Sequence, residues 1–419
     1  MLAAVGLTFL ECPGVFMSSS AVSPDKVPPI GVLIVAASSA NLGLSILSPV
    51  ITILRDDFLA SADRVQLVFS AFMLSVAISQ LISGSLSDRF GRKKILLGGS
   101  VIFVIGGIGA LLSTTIDMLI GFRILQGAGA AACMTMGRVI VNDVYQGTEA
   151  ARKLSIVSSA QAIVPAIGFA FGGVIAEFIG WRGSIGIMVM GGLLIAVMSY
   201  LFIDESRRGD PVLFRPASLI AAYLALLKTS GVMFHGLTSG LAVGMFFAMG
   251  GAMPYAFDRM GIGPLEYGLF FAMTSIGYIL GNYINGLLVG RVGVVRMDYL
   301  GSLLTALVAM MMLAGGLTGL LTPLLLLLLC LSLLLLCLYF GVCNGLIIAN
   351  AMICSMRAVG CNSGAGIGLL GAMQMLFGGV AGSAIIALGG AYHFSVTATG
   401  LLIMALCAVL SSFLAPNSR

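Results

Sequence analysis

The chain has 419 residues, of which 59% are hydrophobic and 9% are charged. A soluble globular domain carries roughly 25% charged residues and about 45–50% apolar ones. This composition therefore excludes a soluble domain, a secreted disulfide scaffold, a nucleic-acid binder and a disordered chain. The apolar segments are continuous, whereas a transmembrane β-barrel has short alternating segments. The composition predicts an all-α integral membrane protein.

Twelve apolar runs are long enough to cross a bilayer, since a helix spans about 30 Å of hydrocarbon with roughly 20 apolar residues. In chain order they lie near residues 30–54, 66–86, 95–114, 117–138, 156–179, 184–203, 231–253, 265–290, 297–318, 323–352, 364–389 and 392–414. Each run is predicted to be one transmembrane helix, because a helix satisfies its backbone polar groups internally.

The segment before the first span is mildly apolar but does not have the pattern of a signal peptide. A signal peptide begins with a basic segment, whereas no basic residue precedes Lys26. We predict a cytoplasmic tail over residues 1–29, with translation starting at Met1 or at Met17.

Basic residues orient the spans, because Lys and Arg are retained on the cytoplasmic side of the membrane. With the N-terminus inside, sixteen of the 21 basic residues fall in cytoplasmic segments, four fall in outer loops, and Arg123 falls within a span. Both termini are therefore predicted to be cytoplasmic. The net charge of +5 then reflects membrane topology rather than an acidic partner such as nucleic acid.

Two stretches 202 residues apart share Gly, Leu, Arg and Gly at identical offsets, from Gly84 to Gly91 and from Gly286 to Gly293. A second similarity relates the fifth span to the eleventh, because each has two glycines four residues apart: Gly168 and Gly172, and Gly378 and Gly382. This repeat predicts two pseudo-symmetric six-helix halves, and parallel repeats of this kind form a binding site at their interface in transporters.

The repeat divides the chain into five predicted parts. A cytoplasmic tail covers 1–29, the N-terminal half 30–203 and a charged cytoplasmic linker 204–228. The C-terminal half then covers 229–414, and a short tail covers 415–419.

Three segments resemble known signatures: Gly84–Lys94, Arg123–Ala131 and Pro165–Gly173. They are similar, in turn, to the loop signature of the major facilitator superfamily, the fourth-helix signature of its drug/proton antiporters, and a degenerate fifth-helix antiporter signature. Arg138–Tyr145, together with two later segments, Phe178–Arg182 and Pro254–Gly261, resembles the bicyclomycin/chloramphenicol-resistance (Bcr/CflA) branch.

The resemblance implies a multi-pass exporter in the bacterial inner membrane. Its substrates would be small amphipathic molecules or drugs, moved by alternating access and driven by the proton gradient without any bound cofactor. Its partners would be the substrate, protons and the lipid bilayer, and the protein would be a monomer.

One departure from this branch concerns the proton. Its members usually carry an Asp in the first helix, whereas the segment Asn41–Pro49 contains no acid. All sixteen Asp and Glu residues fall outside the predicted spans or at their edges. The carrier of the proton is therefore an open question.

Arg123 is the one charged residue clearly inside a predicted span, and a charge at that depth marks a functional site by default. It is predicted to bind an anionic or carbonyl-bearing substrate or to relay a proton; a packed arginine bonded to backbone carbonyls is the alternative. Further candidates for the substrate and proton pathway are four polar residues within spans, which otherwise serve as interhelical hydrogen-bonding groups: Asn41, Gln126, Gln161 and Gln374.

The resemblance also implies a cytoplasmic gate in the loop after the second span, formed by Gly84, Asp88, Arg89, Gly91 and Arg92. Asp88 would lock this gate when the transporter faces outward, while Arg92 is also explained by membrane anchoring alone. The expected residues for helix packing and hinge motion are a proline and four glycines: Pro165, Gly168, Gly172, Gly378 and Gly382.

An integral-membrane enzyme would need clustered His, Cys or carboxylates at membrane depth. His235 and His393 are far apart in sequence, the eight cysteines show no paired spacing, and no Walker loop follows a strand. The sequence thus predicts neither an enzyme nor a metal site. The alternative function is a carrier of the same fold, an importer or uniporter for a neutral or anionic metabolite.

Overall fold

The computed structural model describes residues 28–145, 147–206, 216–317, 326–359 and 363–415, which form helices and no strand. The helices are α1 Ile30–Ser45, α2 Ile51–Asp57, α3 Ala62–Phe90, α4 Arg92–Leu111, α5 Ile116–Val144, α6 Gly147–Phe178, α7 Trp181–Phe202, α8 Pro216–Lys228, α9 Ser230–Arg259, α10 Pro264–Val292, α11 Val294–Leu317, α12 Leu326–Val359, α13 Ser363–Ile385 and α14 Phe394–Leu414.

The predicted all-α membrane fold is confirmed. In the described part of the chain, eleven helices are long and apolar enough to cross a membrane. The first of these spans, Ile30–Asp57, combines α1 and α2 across a 3-10 turn at Ser48–Val50. The predicted eighth span corresponds to α10, which is not among these eleven helices. It is 29 residues long and includes the polar Asn282 and Asn285.

The repeat seen in the sequence recurs in the helices. Helices α3 and α10 each have 29 residues and begin 202 residues apart. Gly91 ends the first with φ 100° and ψ 153°, and Gly293 ends the second with φ 91° and ψ 150°. Glycine occupies both positions because this backbone region is open almost only to glycine. The two halves therefore share local structure as well as sequence.

The two halves meet mainly through α3 against α13 and α6 against α10. We call the end of the bundle that carries Arg92, Lys93 and Lys94 the basic end, and the opposite end, where the halves touch, the sealed end. At the sealed end, the Ser48 hydroxyl donates to the Gly250 carbonyl at 2.7 Å, and its oxygen lies 2.9 Å from the Tyr267 hydroxyl. An ion pair of 3.1 Å joins Arg55 to Asp258 between the halves.

Of the five predicted packing residues, the four glycines lie at contacts between helices, and the proline lies inside a helix. A Cβ on Gly168 would collide with the Ser45 side chain, and one on Gly172 with the Ile46 backbone, so both let α6 approach the end of α1. In the second half, a Cβ on Gly378 would meet Met73 and one on Gly382 would meet Gln66, both on α3 of the other half. Pro165 lies inside α6. Their part in hinge motion stays a prediction.

The predicted linker contains α8, which packs against α9 and α13. Its charged residues Arg207 to Arg215 lie outside the described residues, as do the N-terminal tail up to residue 27 and the tail from residue 416. The five-part division of the chain and the choice between Met1 and Met17 therefore stay predictions.

The close approach at Gly172 gives a first test. A Gly172→Ala variant places its Cβ 2.6 Å from the Ile46 carbonyl oxygen, and overpacking of this kind costs about 1–3 kcal/mol. We expect a lower melting temperature of the purified protein in detergent, measured by thermal unfolding.

Gly186→Ala on α7 is the matched control, because no atom outside the adjoining turns of its own helix lies within 4 Å of its Cβ position. It should leave the melting temperature unchanged or raise it slightly, since Ala stabilises a helix by up to about 1 kcal/mol relative to Gly. Equal melting temperatures for the two variants would contradict the proposed contact.

Candidate functional site

A cavity of about 700 Å³ lies between the halves and extends from the middle of the bundle to the basic end. Its walls come from both halves, and α8 contributes Leu219 and Tyr223 at the mouth. The polar side chains on its wall within the bundle are Asn41, Gln80, Thr135, Arg138, Asn142, Ser158, Gln161, Ser275, Tyr278, Asn344 and Gln374. Apolar groups such as Phe246, Phe247 and Met375 complete it, so the cavity suits a ligand with both apolar and polar parts.

An aromatic cluster closes the inner end of the cavity. Phe246 lines the cavity and lies 6.1 Å, ring centre to ring centre, from Phe169 and 5.7 Å from Phe271. Phe169 and Phe271 are buried and meet edge to face at 4.6 Å. Because Phe169 belongs to α6 and Phe271 to α10, this contact joins the two halves between the cavity and the sealed end.

Arg138 brings a positive charge to the cavity wall. Its Nε and Nη2 donate to Gln161 Oε1 at 3.2 and 3.0 Å. The side-chain amide of Gln161 in turn donates to the backbone carbonyl of Ala37. The side-chain amide of Asn41 donates to the backbone carbonyl of Gln161 at 3.3 Å. The network joins α1, α5 and α6. Since a guanidinium carries five N–H donors, Arg138 retains donors for a ligand.

The charge pattern places Arg138 among the sixteen basic residues of the cytoplasmic segments, at the end of the fourth predicted span, and the structure corrects this by placing it inside a helix. Helix α5 continues to Val144, beyond the predicted end of the fourth span at 138, so Arg138 lies within the helix. The polar Asn142 and the acidic Asp143 follow it, and residues of this kind are also typical of a loop. Arg138 begins the segment that resembles the Bcr/CflA branch, but this resemblance does not show how deep in the membrane the residue lies.

Arg123 lies outside the cavity wall and is fully buried. Its side chain donates to Gly43 O at 3.0 Å, to Val68 O at 3.4 Å and to Gln126 Oε1 at 2.6 Å. Its guanidinium carbon lies 3.9 Å from the ring centre of Phe72. The geometry therefore matches the packed alternative, in which Arg123 joins α1, α3 and α5. The place of Arg123 and Gln126 on a substrate or proton pathway stays a prediction.

The predicted gate loop forms a charged network at the mouth of the cavity. Arg92 is nearly buried and pairs with Asp88 and with Asp143, each at 2.8 Å. Glu205 accepts the backbone N–H groups of Arg92 at 2.5 Å and of Lys93 at 3.2 Å. A carboxylate is favoured there because the first N–H groups of a helix have no partner within it. Arg92 thus holds together three helices of one half.

The other gate residues differ in their surroundings. Gly84 lines the cavity and no atom lies within 4 Å of its Cβ position, whereas the left-handed turn at Gly91 packs on Glu205. The exposed Arg89 lies over the Phe90 ring at 5.2 Å. A gating role for these residues stays a prediction.

The structure brings some predicted site residues together at the cavity and leaves others apart. Asn41, Gln161, Gln374, Gly84, Asp88, Arg92 and Pro165 line the cavity. Gln374 donates to the Ser239 hydroxyl at 2.6 Å, which links α13 to α9. Tyr278 and Asn344 are not among the predicted pathway residues, and they line the cavity too.

Comparison with known proteins identifies the family. Residues 33–383 match the sequence profile of the Major Facilitator Superfamily. The chain belongs to this superfamily. It is a multi-pass membrane transporter and not an enzyme.

Relatives agree with the predicted branch. The chain is 29% identical over 243 residues to a chloramphenicol resistance protein of Pseudomonas aeruginosa. The matched region covers 57% of each of the two chains. It is 25% identical over 257 residues to a bicyclomycin resistance protein homolog of Haemophilus influenzae, over 60% of this chain and 64% of that protein. The chain thus spans less than two thirds of the length of these relatives.

A solved structure shares the fold. The xylose transporter of E. coli, in a partially occluded inward-open conformation, superposes with a TM-score of 0.70 at 15% identity, over 92% of this chain and 95% of that one. At this identity the likeness establishes the fold alone.

The buried position of Arg123 generates a test of its role. Arg123→Ala removes three hydrogen bonds of a charged group, each worth about 1.5–3 kcal/mol. We expect a much lower melting temperature of the protein without substrate.

Arg138→Ala serves as the comparison, because Arg138 is half-buried and borders the open cavity. Its melting temperature should stay close to that of the unmodified protein. A small shift for Arg123→Ala together with a large shift for Arg138→Ala would contradict the packing role of Arg123.

Proposed function

We propose that this transporter exports small amphipathic molecules by alternating access, coupled to inward movement of protons. The observation that carries the proposal is the mixed polar and aromatic cavity between the halves, which reaches the basic end while Phe169 and Phe271 close it toward the sealed end. A cavity open to one end only is the arrangement from which rocking of two repeats moves a substrate across the membrane.

The basic end is proposed to face the cytoplasm of a bacterial inner membrane. Arg92, Lys93 and Lys94 lie there on the first half, and Arg291 and Arg296 lie at the same end of the second. Such residues are retained on the cytoplasmic side. Both termini are then cytoplasmic, and the protein acts as a monomer in the lipid bilayer.

Two halves, 30–203 and 229–414, are proposed to be the moving units, joined by the linker 204–228. Asp88 would lock the basic end when it closes, as the family resemblance implies, and here it lies at the open mouth paired with Arg92. The named relatives support efflux of antibiotics, since one is a chloramphenicol resistance protein.

A second candidate is a carrier of a neutral or anionic solute, and Arg138 is the observation that favours it. Among the described lining residues, the carboxylates Asp88 and Asp143 both pair with Arg92 at the mouth. Arg138 lies deeper and bonds to the neutral Gln161. The inner cavity thus favours carbonyl or carboxylate groups over cations.

Transport into proteoliposomes with an imposed pH gradient tests these proposals. The panel comprises chloramphenicol, an amphipathic carboxylate and an amphipathic quaternary ammonium compound. We expect proton-driven transport of chloramphenicol or the carboxylate, and weaker transport of the cation. Transport that needs no pH gradient would favour the uniporter, and no transport of any of the three would contradict export of this class.

The role of Arg138 is tested in the same vesicles. Arg138→Gln should lower transport of the carboxylate about tenfold, because a hydrogen bond to a charged group contributes about 1.5–3 kcal/mol. Arg152→Gln is the matched control, since Arg152 is exposed and lies outside the cavity wall. Equal rates for the two variants would overturn the assignment of Arg138 to substrate binding.

A further inference from the structure

A buried acid and a buried histidine meet inside the second half, away from the cavity wall. Asp298 on α11 and His235 on α9 are 0% and 1% exposed. Asp298 Oδ2 lies 3.2 Å from His235 Nδ1, and the Ser412 hydroxyl on α14 donates to the same oxygen at 3.3 Å. The pair therefore connects three helices near the basic end.

Each member of the pair has an unused polar atom. Within the described residues, His235 Nε2 and Asp298 Oδ1 have no hydrogen-bond partner, although both are buried. A structural pair normally has its remaining polar atoms satisfied, because an unpaired buried group costs about 1–3 kcal/mol. Each residue can therefore take part in one further hydrogen bond, and the carboxylate keeps one oxygen on which a proton can bind.

The charge of the pair explains why a proton binds there. With a neutral imidazole donating Nδ1–H to the carboxylate, the pair carries one negative charge sealed from water. One added proton makes it neutral, as an imidazole beside a carboxylic acid. Because a net charge is costly in a membrane interior, the closed pair holds the proton, and release requires a rearrangement that admits water.

Other ionisable groups on the surrounding helices do not replace this pair. Arg296 on α11 and Lys228 on α8 are exposed, and so is Cys407 on α14. Helix α13 carries no ionisable residue between 363 and 385, while α12 carries the exposed Tyr339, the buried Cys343 and Cys354 and, by sequence, Arg357 near its end. On α11, Tyr299 packs against Phe413, and Arg291 at the end of α10 is exposed. Among the described residues, His235 is the ionisable side chain that hydrogen-bonds to Asp298.

The pair is linked to the cavity through α9. Ser239 lies one helical turn after His235, and residues four apart lie on one side of a helix. The Ser239 hydroxyl accepts the hydrogen bond from Gln374, which lines the cavity. A substrate that moves Gln374 therefore acts on the turn of α9 that carries His235.

We propose that His235 and Asp298, with Ser412, form the proton-binding site of this transporter. This assignment rests on the proton coupling proposed above and supplies the carrier that the acid-free first helix lacks.

Infrared titration tests the site without any substrate. The carboxylic-acid C=O band of the purified protein is followed while the pH is varied, for the unmodified protein and for Asp298→Asn. We expect a titrating band that is absent from Asp298→Asn and kept in Asp117→Asn, whose carboxylate is exposed. An identical set of titrating bands in Asp298→Asn overturns the proposal.

Ser412→Ala keeps the test decisive if Asp298→Asn does not fold. Removing a hydrogen bond to the carboxylate should move the midpoint of the band by about one pH unit. An unchanged midpoint overturns the role of the pair.

Transport in proteoliposomes separates coupling from structure. We expect Asp298→Asn to lose chloramphenicol transport driven by the pH gradient at least tenfold, while exchange of chloramphenicol across the membrane without a gradient stays within about twofold, because exchange needs no net proton movement. Gradient-driven transport that survives in Asp298→Asn overturns the proton site and leaves the proposed function intact. Absence of transport by the unmodified protein refutes the proposed function, and the infrared titration still decides the proton site.

Discussion

The contact of Ser48 with Gly250 and Tyr267 is the interaction on which the arrangement of the halves depends. Ser48 and Gly250 are 202 residues apart, the offset of the internal repeat, so each occupies the equivalent place in its own half. Equivalent positions that touch must lie close to the axis that relates the halves. A hydrogen bond there holds the sealed end together while the halves diverge toward the basic end, which creates the cavity between them.

This arrangement also decides how each buried charge is accommodated. Charges beside the cavity have access to water, so Arg138 is satisfied by one glutamine and keeps free donors. Charges away from the cavity need protein partners, because an unpaired charge in the membrane interior is costly. Arg123 obtains carbonyl groups and the face of Phe72, and Asp298 obtains His235 and Ser412. The first half is thus built around a fixed cation and the second around an ionisable pair.

Much of the fold was predictable because its determinants are local. Continuous apolar runs predicted twelve spans, and the repeated Gly91 and Gly293 marked two turns of the same backbone conformation. The distinction between Arg123 and Arg138 was not predictable, because it depends on where α5 ends and on the rotation of α5 about its axis. Both are properties of tertiary packing.

The pairing of His235 with Asp298 was not predictable from the sequence either. The two residues are 63 positions apart, and Asp298 lies at the edge of a predicted span, where a carboxylate ordinarily meets water. Its burial arises only when α9, α11 and α14 pack together. Hydropathy reports which segments enter the membrane, but it does not report which polar side chains share an interior once they are there.

Distances between spin labels test directly whether the two ends of the transporter move reciprocally. In a cysteine-free background, one pair of labels at Phe90 and Arg291 spans the basic end and another at Leu59 and Tyr392 spans the sealed end; all four positions are exposed. Ser48→Ala combined with Tyr267→Phe removes the hydrogen bonds at the sealed end, each worth about 0.5–1.5 kcal/mol. We expect a longer sealed-end distance together with a shorter basic-end distance, because opening of the sealed end brings the halves together at the basic end. A longer sealed-end distance with an unchanged basic-end distance would contradict reciprocal movement.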